Sequence, residues 1–327
     1  TSSVGIYAKL ANYELKNSLA KGTFHLWTRD EKKSAKAVKK ASDSITDFSD
    51  LYELKNYKLS KKADKIQTKA LSKKDKTVLA SGVSPAAEPL SVSNGKDALN
   101  VYAVSENVAG TDYTAPKLYY QTFTVDGKKG SWSEASKINQ SGNEYSAVVS
   151  EMNPKLYTDG KDYYMVYQES PADVETLKKL DSASTDDEKE NIFKSIWKNV
   201  ELHVKKYDTE KNQWIDYGKI NTDGAFDYNA DIVIKDGQIY VCSAADAKGD
   251  YFATSTDKNY INISSCAIND SSETKNWTVK KAAENLNSVT SLAAGIRNGK
   301  ITCAYSVDSD NDFATDEQEV RLYEDSD

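Results

Sequence analysis

Cysteine, proline, histidine and methionine are all scarce in this chain: three, five, two and two among 327 residues. Three cysteines with no C-x-x-C spacing exclude a disulfide framework and a cysteine-rich zinc site. They leave Cys242, Cys266 and Cys303 as buried thiols within strands, with Cys242 and Cys266 on adjacent strands in reach of each other. The two histidines, His25 and His203, stand far apart with no metal-ligand spacing, so both are read as structural. No P-loop, G-x-G-x-x-G, G-x-S-x-G or H-E-x-x-H occurs, which removes the common nucleotide, serine-hydrolase and metalloprotease signatures. No apolar run approaches the roughly eighteen residues that a membrane-spanning helix needs. The chain opens at Thr1 without a signal sequence, as expected of a processed or trimmed product. Arginine is almost missing too. Residues 1–80 carry about twice as many basic as acidic side chains, against a net charge of −7 for the whole. These lysines are scattered and lack accompanying aromatic motifs, so they read as a solvated face and not as a nucleic-acid surface.

What the chain does have is tyrosine, 21 of them, and a repeat. Asn94-Gly95, Asp159-Gly160, Asp236-Gly237 and Asn298-Gly299 each precede a run rich in Tyr, Val or Ile. Asx-Gly suits a two-residue type I′ hairpin because both central residues need positive φ. A third strand follows in each unit: Leu118–Val125, Val200–Tyr207, Ile261–Ile268. A tryptophan (Trp132, Trp214, Trp277) then stands near the start of a fourth. In the first unit Gly22–Thr28, Asp50–Leu59 and Lys65–Leu71 take the places of strands two, three and four. Four strands repeated at about sixty residues are the mark of a β-propeller. The sequence therefore predicts an all-β, single-domain propeller of about five four-stranded blades, with units near 1–80, 81–141, 142–222, 223–284 and 285–327. Strand two (Tyr163–Tyr167) is continuously apolar, as for a strand covered on both faces. Strand three alternates (Val200, Leu202, Val204 against Glu201, His203, Lys205), which predicts a place nearer the rim.

Two units carry insertions between strands two and three. Asp30–Ser49 is rich in Lys and Ala and predicts helix. Ala172–Lys198 predicts a helical hairpin: Asp173 starts the first helix, Thr185 to Glu188 form a capping box, and Ile192, Phe193, Ile196 and Trp197 follow at helical spacing. It either packs on the edge of the propeller or walls a binding face. Val4–Lys9 is placed to complete the last unit and close the ring; the alternative is that the chain is part of a longer propeller.

Three groups of residues point to chemistry. Asp308, Asp310, Asp312, Asp316 and Glu319 match positions 1, 3, 5, 9 and 12 of a calcium loop, whose alternating carboxylates suit a cation seeking six to eight oxygens. Phe313 stands where the sharp bend wants glycine, so an acidic solvated hairpin is the rival. An acidic residue near the exit of every second strand (Asp30, Glu106, Glu169, Asp246, Asp308) would place carboxylates together at one end of the ring. A pair of them about 5–9 Å apart would serve glycoside hydrolysis; the rival is that strand ends are simply polar. Trp27, Tyr113, Trp197 and Tyr251 fall at variable segments and are the candidate sugar-stacking residues, whereas Trp132, Trp214 and Trp277 recur with the repeat and read as blade packing.

The order NPKLYTDGKDYYMVYQES, helical insert, VELHVKKYDTEKNQWIDYGKIN, then GKITCAYSVDSDNDFATDEQEVRLY resembles propeller repeats of large secreted proteins of gut clostridia. Relatives of that kind often carry dockerin modules or cell-wall anchors. The resemblance covers residues 80–323 well and 1–80 loosely. Its most specific stretch is Ala304–Tyr323, and it implies an extracellular, non-catalytic binding or scaffolding role. The expectation is thus a cell-surface, carbohydrate-binding or adhesion module, a monomeric part of a larger protein. Its partner would be a polysaccharide, a surface glycan or a protein, with Ca2+ as a possible cofactor. Glycoside hydrolase and protein-interaction scaffold are the alternatives.

Overall fold

The computed structural model describes backbone strands at 23–29, 52–58, 60–62 and 65–67, and then residues 77–325 apart from 85–87, 127–128, 140–149, 171, 222, 250–257, 272 and 311–316. The chain is a β-propeller of successive antiparallel sheets. The first sheet has β1 (Thr23–Arg29), β2 (Tyr52–Lys58) and β5 (Thr77–Ser81); β3 (Ser60–Lys62) and β4 (Lys65–Gln67) form a separate hairpin. The expected strand Lys65–Leu71 therefore does not join the first sheet; β5 takes that place. The second sheet holds β6 (Leu90–Ser93), β7 (Ala98–Asn107), β8 (Thr114–Asp126) and an outer strand broken into β9 (Lys129–Trp132) and β10 (Ser136–Lys137). The third holds β11 (Ser150–Thr158), β12 (Tyr163–Ser170), β13 (Glu201–Asp208) and β14 (Gln213–Lys219). The fourth holds β15 (Phe226–Lys235), β16 (Gln238–Asp246), β17 (Asn259–Ala267) and β18 (Thr278–Leu286), and the last β19 (Val289–Arg297), β20 (Lys300–Asp308) and β21 (Gln318–Glu324). Val4–Lys9 and the expected helix at Asp30–Ser49 lie outside the described residues.

The second strands β7, β12 and β16 are largely apolar because each feeds two cores. Tyr163, Met165 and Tyr167 of β12 meet Leu99, Val101, Ala103 and Leu118 of the second sheet. Tyr164 and Val166, on the other face, meet Ile232, Ile239 and Val241 of the fourth. In turn Cys242 and Ala244 of β16 meet Ile301, Cys303, Tyr305 and Val307 of the last sheet. A strand alternates its side chains between faces, so a sheet packed on both sides must be apolar at consecutive positions. Trp214 and Trp277 join these cores, and the Trp132 ring lies 5.1 Å from Phe123, centroid to centroid.

Two expectations need correcting. Only Asp236-Gly237 and Asn298-Gly299 are two-residue turns with both φ values positive. At Asn94 and Asp159 the loops run four residues, from Ser93 to Ala98 and from Thr158 to Tyr163. There the Asx side chain takes over the turn: Asp159 Oδ1 accepts from the N–H groups of Lys161 and Asp162, both at 2.8 Å. Second, β13 stands nearer the rim than β12, as expected, but its polar residues are not solvated. His203, Lys205, Lys206 and Asp208 are all buried, because sheets on both sides cover them and acidic partners neutralise the lysines.

The helical insert forms as expected. In α1 (Val174–Ser182), Asp173 caps the N-terminus, and α2 (Asp186–Trp197) carries the complete Thr185/Glu188 capping box. The hairpin leaves from the end of β12 and packs Leu177 and Ile196 against Ala115 of β8 and against Val108 and Tyr113 of the loop between β7 and β8.

Candidate functional site

Four of the five strand-exit carboxylates are described; Asp30 is outside. The structure splits them into two kinds. Asp246 and Asp308 are the last residues of β16 and β20, and each accepts from the side-chain amide of its cross-strand partner: Asn259 at 3.0 Å and Gln318 at 2.8 Å. Glu106 and Glu169 are penultimate in β7 and β12, so Glu169 faces the sheet before its own while Asp246 faces the one after. Glu106 binds Lys137 Nζ at 2.8 Å and the Tyr119 hydroxyl. Burial pushes its carboxyl up, but those bonds and the Lys137 charge outweigh it and hold the group below its ordinary range. All four carboxylates are thus engaged in tying neighbouring strands together.

Glu169 belongs to a longer chain of contacts that crosses the third sheet from its inner to its outer strand. Glu151, on β11, accepts from Leu118 N–H at 2.8 Å and from Asn139 Nδ2 at 3.0 Å. Asn139 also donates to the Tyr167 hydroxyl (3.0 Å), which donates to Glu169 Oε1 (2.7 Å). His203 lies beneath Tyr167, ring on ring at 5.3 Å, with Nδ1 3.0 Å from Glu169 Oε1 and Nε2 2.6 Å from Asp216 Oδ1. Burial alone would discharge the imidazole, but bonds to Asp216 and Glu169 outweigh it and raise its pKa. Glu169 and Asp216 are correspondingly held low against their own burial. The sequence expectation that His203 is structural fits this placement.

The inner strands carry a second pair of acids that the sequence reading missed. Glu151 and Asp227 occupy matched places, each just before a bulge whose Asn (Asn153, Asn229) has positive φ. Both are almost fully buried. Desolvation raises Glu151 despite its amide donors, and raises Asp227 strongly, with Asp223 and Glu201 adding like charge. Asp227 Oδ2 has no hydrogen-bond partner.

Aromatic side chains meet at the same end of the third and fourth sheets. Phe193 and Trp197 of α2 lie 6.2 Å apart, Trp197 and Phe226 6.1 Å, and Phe226 and Tyr228 5.0 Å, with successive ring planes inclined by 33°, 27° and 15°. The row descends from an exposed Phe193 (42% accessible) through half-buried Trp197 and Phe226 to a buried Tyr228, whose hydroxyl donates to Asn259 Oδ1. It forms because α2 buries none of its own residues fully and must lay its apolar stripe on something. A Cβ on Gly249 would stand 3.3 Å from the Lys194 carbonyl oxygen, so the loop after β16 closes tightly on the end of α2. Of the four aromatic candidates, the structure brings Trp197 into this row. It places Tyr113 elsewhere, under α1, bonded to Asp181. Trp27 is described only as a backbone position opposite Leu54, and Tyr251 lies outside the described residues. Phe226 and Tyr228 escaped the sequence reading because they open a first strand, where aromatic residues read as core.

The calcium-loop residues are only partly described; Asp312 and Asp316 lie outside. The two ends do not converge. Asp308 is buried and bonded to Gln318, whereas Glu319, one residue on and hence on the opposite face, is exposed and binds Arg321 at 2.7 Å. Among the described residues no group of three or more acidic, His or Cys side chains is arranged to hold a metal. Nor, among the described residues, is any helix long and apolar enough to cross a membrane.

No family model matches the chain, and no curated protein does. Among solved structures it is similar to YjhT, at a TM-score of 0.44 and 13% identity over 82% of this chain and 73% of that one. It is also similar to the GH32 beta-fructofuranosidase BmSUC1 of Bombyx mori, at 0.41 and 11% over 88% and 53%. A third is the alpha-L-arabinofuranosidase from Lactobacillus brevis, at 0.40 and 8% over 86% and 84%. The chain thus spans about half the length of the Bombyx mori protein. At TM-scores this low the likenesses assign no activity.

Proposed function

We propose that this protein is an extracellular, non-catalytic carbohydrate-binding module, and that sugar rings dock along Phe193, Trp197 and Phe226. The observation that carries the reading is the aromatic row itself. It is apolar, stepped and partly open, running from the exposed Phe193 to the half-buried Trp197 and Phe226. Sugars present apolar faces and polar edges, and sites for them pair ring faces with a few fixed polar groups. The strand-exit carboxylates are already committed to Lys137, to His203 or to cross-strand amides, which favours binding over turnover.

A second reading, glycosidic-bond hydrolysis, is favoured by one observation: Glu151 and Asp227 stand at matched inner-strand places with raised pKa values. Hydrolysis needs one acid protonated and its partner ionised, whereas burial biases both of these toward the neutral form. Two of the structural neighbours named above are glycosidases, at a similarity that adds no weight to either reading.

One experiment separates the two. The protein is incubated with starch, xylan, mannan, cellulose and mucin, and both retained protein and released sugar are measured. The binding reading expects retention without products on at least one glycan, lost about tenfold or more in Trp197→Ala. Products abolished by Asp227→Asn would establish hydrolysis instead. No retention and no products on any glycan would reject both and leave a protein partner.

A further inference from the structure

Cys242 and Cys303 lie in the apolar cluster that joins the fourth and last sheets, and neither has any accessible surface. Each sits on the second strand of its sheet, and the two strands present them to each other across the seam. The cross-strand partner of Cys242 is Asp231 and that of Cys303 is Ala294. Those partners are themselves bonded across the same seam, Ala294 N–H donating to Asp231 Oδ2 at 2.8 Å. The Cys303 thiol is the first cause, ahead of burial, that pushes the Cys242 thiol well above its ordinary range. Cys266 takes no part: it faces the opposite side of the fourth sheet, packs in the cluster shared with the third, and directs its Sγ at the Ala267 carbonyl oxygen at 3.6 Å. The expected neighbourhood of Cys242 and Cys266 is thereby corrected. On adjacent strands they are offset in register, with Cys242 opposite Ile263 and Cys266 opposite Ile239, and they point to opposite faces.

Two fully buried thiols share one seam cluster, on separate sheets and opposite partners that are bonded to each other, while the third thiol lies on another face. We propose that Cys242 and Cys303 are an oxidative modification site, closing to a disulfide that staples the fourth sheet to the last. The oxidant is a low-molecular-weight disulfide of the glutathione class. One cysteine thiolate attacks it, forming a mixed disulfide and releasing one thiol. The other cysteine thiolate attacks the protein sulfur of that mixed disulfide and releases the second. The protein gives up two protons and two electrons, and the reagent is reduced to two thiols. Burial of the closed seam slows attack, so the step belongs to folding, before the last sheet docks, or to a later opening of that seam. The link would enclose residues 243–302, a loop long enough for a substantial constraint on the unfolded chain.

The test uses the full chain, refolded once in a glutathione/glutathione-disulfide buffer and once with dithiothreitol. Thiols are counted in denaturant and the oxidised sample is peptide-mapped without reduction. The proposal expects one titratable thiol in place of three, a single linked peptide pair containing Cys242 and Cys303, and a Tm higher than that of the reduced protein by roughly 5–10 °C. Cys266→Ala should keep both the link and the Tm difference; Cys303→Ala should lose both. Three titratable thiols after oxidation, a link through Cys266, or an oxidised protein less stable than the reduced one would overturn it. The wild-type comparison decides even if a variant fails to fold.

Discussion

His203 shows what a single side chain can decide. With a carboxylate against each ring nitrogen, the imidazole is fully bonded only when both nitrogens carry protons. Its folded pKa therefore lies above the unfolded value of about 6.5. The stability it contributes is complete below that unfolded value and fades as pH rises through the folded one. Tm is expected to fall on going from mildly acidic to alkaline pH, and His203→Gln should flatten that slope while costing about 3 kcal/mol at neutral pH, since Glu169 is left buried without its cation. Thermal unfolding across pH checks both. Asp227 behaves with the same sign through a different cause. Burial keeps its carboxyl protonated, so ionisation in the folded state becomes a cost as pH rises. Asp227→Asn should then raise stability by about 1 kcal/mol or more at neutral pH, read as a shift in urea midpoint. A buried acid that destabilises its own fold is the kind of residue retained for a ligand. Neither role was legible in the sequence. Glu169, Asp246 and Asp308 look equivalent when counted from the Asx-Gly turns, yet one turn is longer, and a single residue turns Glu169 to the other face of its sheet.

At the scale of elements, local chemistry was the most readable. The α1–α2 hairpin follows from its caps: Thr185 Oγ1 accepts from Glu188 N–H at 3.2 Å, and Glu188 Oε2 returns the bond to Thr185 N–H. Thr185→Ala should loosen α2 by about 1 kcal/mol, seen as faster amide exchange in 186–197 with little change in the global midpoint, because α2 buries none of its residues fully. Sugar affinity should weaken alongside, since Phe193 and Trp197 ride on that helix. Strand three was misjudged for a physical reason. Alternating polar residues mark a solvated face only when nothing covers it, and here the polar face of β13 meets the second sheet with every charge partnered. The pattern of hydrophobicity cannot show a partner supplied by a distant strand.

For the whole molecule, the repeat made the architecture legible, while the seams between sheets, where the uncommon residues sit, were not. Each seam is built differently: Cys242 and Cys303 at one, Glu151 and Asn139 at another, and a lysine at the third. Lys206 of β13 lies 3.0 Å from Asp162 of its own sheet and 2.9 Å from Asp270 of the next, over the Tyr164 ring, with only 5% of its side chain accessible. Tyr217 and Trp277 tie the same seam, the Trp277 indole N–H donating to the Tyr217 carbonyl oxygen at 2.9 Å. An ammonium so buried is worth little relative to a well-packed apolar pair, but removing it alone strands two carboxylates beside each other. Lys206→Met is expected to cost about 3–5 kcal/mol, and the loss should change little with added salt, because ions screen a buried pair far less than an exposed one. Restoring the balance with Asp162→Asn and Asp270→Asn in the same chain should recover much of it. Urea unfolding at low and high salt measures the wild type and both variants. A loss that vanished in salt would mean that Lys206 acts as a surface charge and that the third and fourth sheets are held by their apolar cluster alone.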